Sequence, residues 1–170
     1  MKRALFLLPL LLLISCATVG PSVPAAARAE FAPTGKLRVG LIAVSPIFVT
    51  QNTPPGVTRG IAVDIAGQLA GRLGVAVELV RYPNERAMMD AAGKDEWDII
   101  FSGINPARAD VVNFTAPYMY VEDAPIGMGV QKRRPAALAY AFEFIEQIKA
   151  SGAIQDAISK EGLAGARAAK

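Results

Sequence analysis

Apolar residues follow two different periods along the central part of the chain. Short runs rich in aliphatic and β-branched residues predict strands at 37–43, 75–82 and 98–101. Between the first two, apolar positions recur at helical spacing over 60–73, and Asn84 can cap a second helix after the next strand. Strands that alternate with helices in this way predict a parallel sheet joined by right-handed crossovers.

The predicted sheet places two loops at one edge. In open sheets of this kind, ligands bind beyond the carboxyl ends of the strands. The loops at 43–60 and 102–108, which follow the first and third strands, are therefore expected to face one ligand. A further strand is predicted at 126–130, and the last long helix has an apolar face formed by Ala141, Phe144, Ile145 and Ile148.

The N-terminal segment is typical of an export signal. A positively charged start precedes an apolar run at 4–14 that is too short to span a bilayer comfortably. The residues that end at Cys16 resemble a bacterial lipobox, which implies a lipoprotein-type signal peptide at 1–16 and lipidation of Cys16. Cleavage after Ala17 or Ala29 without lipidation is the alternative.

Composition narrows the possible functions. Cys16 is the only cysteine and histidine is absent, so disulfides, the commonest metal ligand and the commonest general base are missing from the mature chain. The chain has 18 basic and 15 acidic residues, and two of the basic ones, Lys2 and Arg3, lie in the signal. We expect a near-neutral binding protein without metal, cofactor, nucleic-acid partner or enzymatic activity.

Six segments in a fixed order carry a family resemblance. They are Lys36–Gly40, Gly60–Ala66, Leu73–Val75, Glu96–Ile99, Pro106–Arg108 and Phe114–Tyr118. Together they resemble family 3 of the extracellular solute-binding proteins, which are the substrate-binding components of ABC transporters. The resemblance implies binding of a small, carboxylate-bearing solute, amino-acid-like or an organic acid, at the cell envelope, with the transporter's membrane subunits as partners.

The resemblance also implies the fold, a single α/β lobe of the type II periplasmic-binding-protein kind. We predict a mixed five-stranded sheet with helices on both faces in residues 36–165. Residues 17–35, rich in Ala, Pro, Ser and Gly, are predicted to form a flexible tether that joins the lobe to the lipid anchor.

This chain has room for one lobe, whereas the family has two lobes with the ligand between them. The strand at 118–121 is followed at once by the strand at 126–130, where family members insert the second lobe. A turn at 122–125 would close the gap. The open face that remains would favour a homodimer or another protein partner.

The segment 102–108 carries most of the candidate chemistry. Pro106 suits the first position of a short helix, whose free backbone N–H groups and the Arg108 guanidinium would hold a carboxylate. In the family, the arginine that matches Arg108 grips the α-carboxylate of the ligand. The resemblance adds further site residues, namely Ser102, Gly103 and Asn105. The alternative is a surface ion pair of Arg108 with Asp110 or another acid.

The loop after the first strand holds two more candidates. Ser45 and Phe48 lie in the segment where the family places an aromatic ring that stacks on the ligand, and Phe48 would supply that ring. The alternative for Phe48 is to cover the edge of the core. The family often has another aromatic at the start of the second helix, and this chain has Glu85 there, which departs from the pattern for a standard amino-acid ligand.

Three alternatives to a transport-linked binding protein remain open. Some proteins similar to this family are dehydratases that act on small acids, and an enzyme without histidine would depend on Glu85, Asp64 or Tyr118. A second possibility is a dimerising or protein-interaction module without a transport role, and the third is a remnant without function.

Overall fold

The computed structural model describes residues 22–43, 45, 47–49 and 58–170. The predicted signal peptide and Cys16 lie outside the described residues. The strands are β1 Lys36–Ile42, β2 Ala76–Tyr82, β3 Ile99–Gly103, β4 Val112–Phe114, β5 Met119–Val121, β6 Ala124–Gln131 and β7 Ala166–Ala168. The helices are α1 Ala25–Phe31, α2 Ile61–Leu73, α3 Glu85–Asp90, α4 Pro135–Ala150 and α5 Ala153–Glu161, with 3-10 turns at Ala92–Lys94 and Pro106–Arg108.

The strands form one mixed sheet in the order β2-β1-β3-β6-β5-β7, and β4 also pairs with β6. Strands β1, β2 and β3 are parallel, and β6 is antiparallel to β3, which confirms the predicted mixed α/β lobe. The sheet has seven strands in the described residues, not the predicted five. The two additional strands, β4 and β7, are each three residues long, too short to show a hydrophobic alternation in the sequence.

Local sequence signals explain where the helices before β3 begin and end. Helix α2 buries apolar residues at helical spacing and ends at Gly74, whose φ of 64° lies in the left-handed region that glycine adopts readily. The side chain of Asn84 accepts a hydrogen bond from the backbone N–H of Ala87 at 2.9 Å, which caps α3. Both predicted caps are confirmed.

Helices cover both faces of the sheet, as predicted. The main core lies between the sheet and helices α1, α2, α4 and α5. On the opposite face, a smaller cluster surrounds the fully buried Trp97 and includes Met88 of α3 and Ile100 of β3. The indole N–H of Trp97 donates to the carbonyl of Met88 at 2.8 Å, so its one polar atom is satisfied.

Helix α1 lies within the segment 17–35 that we predicted to be a flexible tether. The Phe31 ring is fully buried and meets the Tyr140 ring of α4 edge to face, with centroids 6.3 Å apart. The carboxylate of Glu30 accepts a hydrogen bond from the backbone N–H of Ala137 at 2.8 Å. The tether prediction is therefore wrong for α1, because two turns of helix are too short to show a period in sequence.

A tight hairpin joins β5 and β6. Val121 pairs with Ala124, so the connection consists of Glu122 and Asp123 alone. Their φ angles are 48° and 69°. Positive φ at both central residues is what a type I′ turn requires, and this turn matches the twist of the two strands that it joins. A turn is present where one was predicted, and it is shorter than the expected 122–125.

Candidate ligand-binding site

The carboxyl ends of β2 and β3 bring three polar side chains together. Because β1 is parallel to both strands, these ends share one edge of the sheet. Glu85 begins α3 just after β2, Ser102 lies near the end of β3, and Arg108 ends the 3-10 turn that follows it. The site therefore forms at the edge that the predicted topology indicates.

The carboxylate of Glu85 is held at both of its oxygens. An Nη2 donor of Arg108 lies 2.6 Å from Oε2, and the hydroxyl of Ser102 donates to Oε1 at 2.9 Å. The side chain of Ser102 is buried, whereas the side chains of Arg108 and Glu85 are 21% and 36% exposed. Ser102 and Arg108 thus form a two-point carboxylate receptor that solvent can reach, and Glu85 occupies it.

The backbone around Gly103 sets the position of the guanidinium. Arg108 Nη1 donates to the carbonyl oxygen of Gly103. A Cβ atom at Gly103 would lie 3.3 Å from that nitrogen, closer than side chains normally approach. The glycine therefore allows the arginine to lie flat against the end of β3.

The predicted free backbone N–H groups of the 3-10 turn are not free. The N–H of Ala107 donates to the Asn105 side chain at 2.9 Å, and the N–H of Arg108 donates to the Asn105 carbonyl at 2.9 Å. The N–H of Ala109 donates to the carbonyl of Pro106 at 3.0 Å. This part of the prediction is wrong, because the turn satisfies its own donors and uses Asn105 as its cap.

Two predicted site residues of the segment after β1, Ser45 and Phe48, are among the described residues. The carbonyl of Ser45 accepts hydrogen bonds from the N–H groups of Phe48 and Val49, at 3.2 and 2.9 Å. The Phe48 ring is 7% exposed and belongs to the main core. This burial favours the alternative, in which the ring covers the core edge, while the stacking role stays a prediction.

The residues considered for an enzyme lie in separate surroundings. The Asp64 carboxylate on α2 pairs with Lys160 of α5 at 2.9 Å, while Glu85 pairs with Arg108 at the sheet edge. Tyr118 is fully buried, and this burial raises the pKa of its hydroxyl far above the usual value for tyrosine. The structure thus does not join them into an acid–base pair.

The described residues form neither a metal-binding cluster nor a membrane-spanning helix. In the described ranges, no group of three or more His, Cys, Asp or Glu side chains is placed to hold a metal ion. None of the described helices has the length and apolar content that a membrane span requires.

Glu85 is the site residue whose role the sequence did not reveal. The sequence singles it out as a departure from the aromatic residue of the family and as one of three candidates for an enzyme, but not as a binding residue. Its place at the start of α3, just beyond β2, was a usable signal, because that position faces the same edge as the end of β3.

The family is established by a match to the family model. Residues 37–161 match the bacterial extracellular solute-binding proteins, family 3, and the chain belongs to that family. No curated protein is similar enough to the chain to count as a match. Membership makes the chain a protein of the cell exterior that binds small solutes.

Solved structures share the fold. The arginine-bound form of domain 1 from TmArgBP, of T. maritima, is 26% identical with a TM-score of 0.61, over 69% of this chain and 97% of that one. The binding component of an ABC transporter from Wolinella succinogenes, complexed with lysine, is 17% identical with a TM-score of 0.64, over 75% and 95% of the two chains. An ancestral cationic amino acid solute-binding protein, AncCDT-1, is 18% identical with a TM-score of 0.68, over 78% and 98%.

Proposed function

We propose that this lobe binds a small carboxylate-bearing solute, an amino acid or an organic acid, for transport by an ABC system at the bacterial cell envelope. One observation carries the proposal. Ser102 and Arg108 hold a carboxylate by its two oxygens, and the carboxylate is that of Glu85. A solute that displaces Glu85 meets the same two donors.

The geometry of these donors suits binding of a carboxylate rather than catalysis of a reaction. The arginine fork and the hydroxyl present N–H and O–H groups toward a pair of oxygens, which fixes both position and orientation. Of the other residues considered for an enzyme, Asp64 pairs with Lys160 and Tyr118 is fully buried. We therefore expect binding without turnover.

Two similar proteins support the solute class. Domain 1 of TmArgBP has been solved as an arginine-bound form, and the Wolinella succinogenes protein in complex with lysine. Arginine and lysine both carry an α-carboxylate. The first example is also a single domain, so a ligand-bound form does not require two domains in that protein.

The cellular setting completes the proposal. An exported protein with a lipid on Cys16 would stay at the membrane surface, close to the membrane subunits of a transporter. Lipidation remains a prediction, and radioactive fatty-acid labelling of wild type and Cys16→Ser would check it.

The test is ligand binding by the mature lobe and by Arg108→Ala. A thermal-shift screen of L-amino acids and small organic acids identifies ligands, because binding to the native state raises its melting temperature. Loss of a charge-assisted contact costs about 1.5 to 3 kcal/mol, so Arg108→Ala should weaken binding by at least about tenfold in calorimetry. Its stability should change by at most about 1 kcal/mol, since the ion pair with Glu85 is partly exposed.

Arg86→Ala is the matched control. Arg86 is also on the Glu85 side of the site, in α3, but its side chain is 91% exposed and pairs only with Asp90 of the same helix. This variant should keep wild-type affinity. Equal affinity of Arg108→Ala and wild type for every ligand found would refute the proposed site.

A further inference from the structure

We propose that Glu85 determines which carboxylates the site accepts: it opposes acids that bring only negative charge and favours solutes with a cationic group beside the carboxylate. The inference rests on the proposed function, because it concerns the ligand of the same site. It starts from the two contacts that occupy Glu85, to Ser102 and to Arg108.

The receptor for a solute carboxylate is already filled by a carboxylate of the chain. An incoming acid must take the donors of Ser102 and Arg108 from Glu85, at 2.9 and 2.6 Å. The exchange gains no new type of contact, since one carboxylate replaces another. The resident carboxylate therefore acts as an intramolecular competitor.

Displacement of Glu85 is sterically possible. Its side chain is 36% exposed, and it begins α3 at the surface, so the carboxylate can rotate toward water. The backbone of Glu85 stays fixed, because Asn84 caps the helix through the N–H of Ala87. The displaced carboxylate thus remains within a side chain's length of the site.

The charge of the solute then decides the outcome. A simple acid leaves two carboxylates close together with one arginine between them, and like charges at such short separation repel. A solute with an ammonium group next to its carboxylate gives Arg108 a new partner and Glu85 a new cation. Only the second arrangement restores a counter-ion to every charged group.

The experiment compares matched pairs of ligands that differ by one ammonium group. The pairs are L-leucine with 4-methylpentanoate, L-phenylalanine with 3-phenylpropanoate, and L-alanine with propanoate. Each compound is titrated calorimetrically into wild type, Glu85→Gln and Glu85→Ala. Glutamine keeps the size of the side chain and one acceptor oxygen but removes the negative charge, whereas alanine empties the receptor.

Wild type should prefer the amino acid of at least one pair by about tenfold or more. In Glu85→Gln and Glu85→Ala, the simple acid should bind more tightly and the amino acid more weakly, so that the preference falls to about threefold or less. Glu78→Gln is the control. Glu78 lies in β2, its side chain is 47% exposed, and it pairs with Lys36 of β1, so the substitution removes a carboxylate of similar exposure outside the candidate site. It should keep the wild-type preference.

The outcomes separate this inference from the proposed function. If both members of a pair bind and the preference is unchanged in the Glu85 variants, the role of Glu85 is refuted while the site stands. If the variants bind both members more tightly by the same factor, Glu85 is a competitor without selectivity, which also overturns the inference. If no carboxylate binds wild type or either Glu85 variant, the proposed function itself fails, and the inference with it.

Discussion

The carboxylate of Asp98, the residue just before β3, is fully buried, and two arginines hold it. Arg38 Nη2 and Arg134 Nη1 each lie 2.7 Å from Oδ1, and the side chains of these arginines are 13% and 11% exposed. Hydrogen bonding to Asp98 raises the pKa of the Arg38 guanidinium further above its usual value. Because Arg38 belongs to β1 and Arg134 precedes α4, the carboxylate ties three parts of the lobe together.

Asp98→Asn should lower the free energy of unfolding by about 3 kcal/mol. The substitution leaves two partly buried guanidinium groups without their main counter-ion, and breaking a buried ion pair on one side typically costs about 3 to 5 kcal/mol. The lower end applies here because Asp95 remains beside both arginines. Urea denaturation at pH 7 measures the change.

Asp123→Asn provides the comparison for Asp98→Asn. Asp123 also pairs with an arginine, Arg167, at 3.1 Å, but its side chain is 92% exposed. Exposed pairs of this kind contribute about 0 to 1 kcal/mol. A loss of similar size in the two variants would mean that burial of Asp98 has no energetic consequence.

At the residue scale, the sequence named the side chains that contact Glu85 but did not indicate Glu85 as their partner. Arg108, Ser102 and Gly103 were identified through the family resemblance, and the structure brings them together. Glu85 meets them only because β2 and β3 end at the same sheet edge, and sequence spacing does not show which side chains then touch. The burial of Phe48 is likewise set by packing that no local pattern reveals.

The hairpin between β5 and β6 shows how an element can be strained by its sequence. The φ angle of Glu122 is 48°, which places a side chain other than glycine or asparagine in the left-handed region. Asparagine tolerates this region better than glutamate does. The turn therefore stores a small conformational cost in its first residue.

Glu122→Asn should raise the free energy of unfolding by about 0.5 to 1 kcal/mol, because asparagine adopts the required φ more readily. For a domain of this size, the melting temperature should rise by roughly 2 to 4 °C. Glu122→Ala controls for loss of the carboxylate, since alanine has no preference for positive φ. If the two variants are equally stable, the gain does not come from the backbone conformation of the turn.

At the element scale, long and strongly patterned segments were predictable and short ones were not. The sequence predicted β1, β2, β3, α2 and the caps at Gly74 and Asn84, because each carries several residues of one period or a specific cap. Helix α1 and strands β4 and β7 depend on tertiary contacts. The Phe31 ring, for instance, is buried by Tyr140 of α4, more than a hundred residues later.

The molecule as a whole presents its site on the surface of one lobe. The Arg108 and Glu85 side chains keep 21% and 36% of their exposure, so water reaches both. Water weakens ion pairs and hydrogen bonds, whereas closure of a second lobe over a ligand excludes water and strengthens them. The hairpin at Glu122 and Asp123 lies where the family resemblance predicts the connection to a second lobe.

The monomer should therefore bind its solute weakly, with a dissociation constant of about 1 mM rather than about 1 μM. Each tenfold loss of affinity corresponds to about 1.4 kcal/mol, and we expect the absence of contacts from a second lobe to cost several such steps. Calorimetry gives the affinity, and analytical ultracentrifugation of the same sample gives the mass of the species that binds.

A tighter complex requires a second surface over the site, and the concentration dependence of binding shows whether a second copy of the chain supplies it. If the lobes of two copies of the chain close over the bound solute, binding and dimerisation are linked. The apparent affinity must then rise with protein concentration. Binding that is independent of protein concentration and remains near 1 mM indicates a lone lobe, with any covering surface supplied by a different protein. A monomer that binds below about 1 μM would contradict the argument, since it would show that the exposed pair of Ser102 and Arg108 needs no exclusion of water to hold a carboxylate tightly.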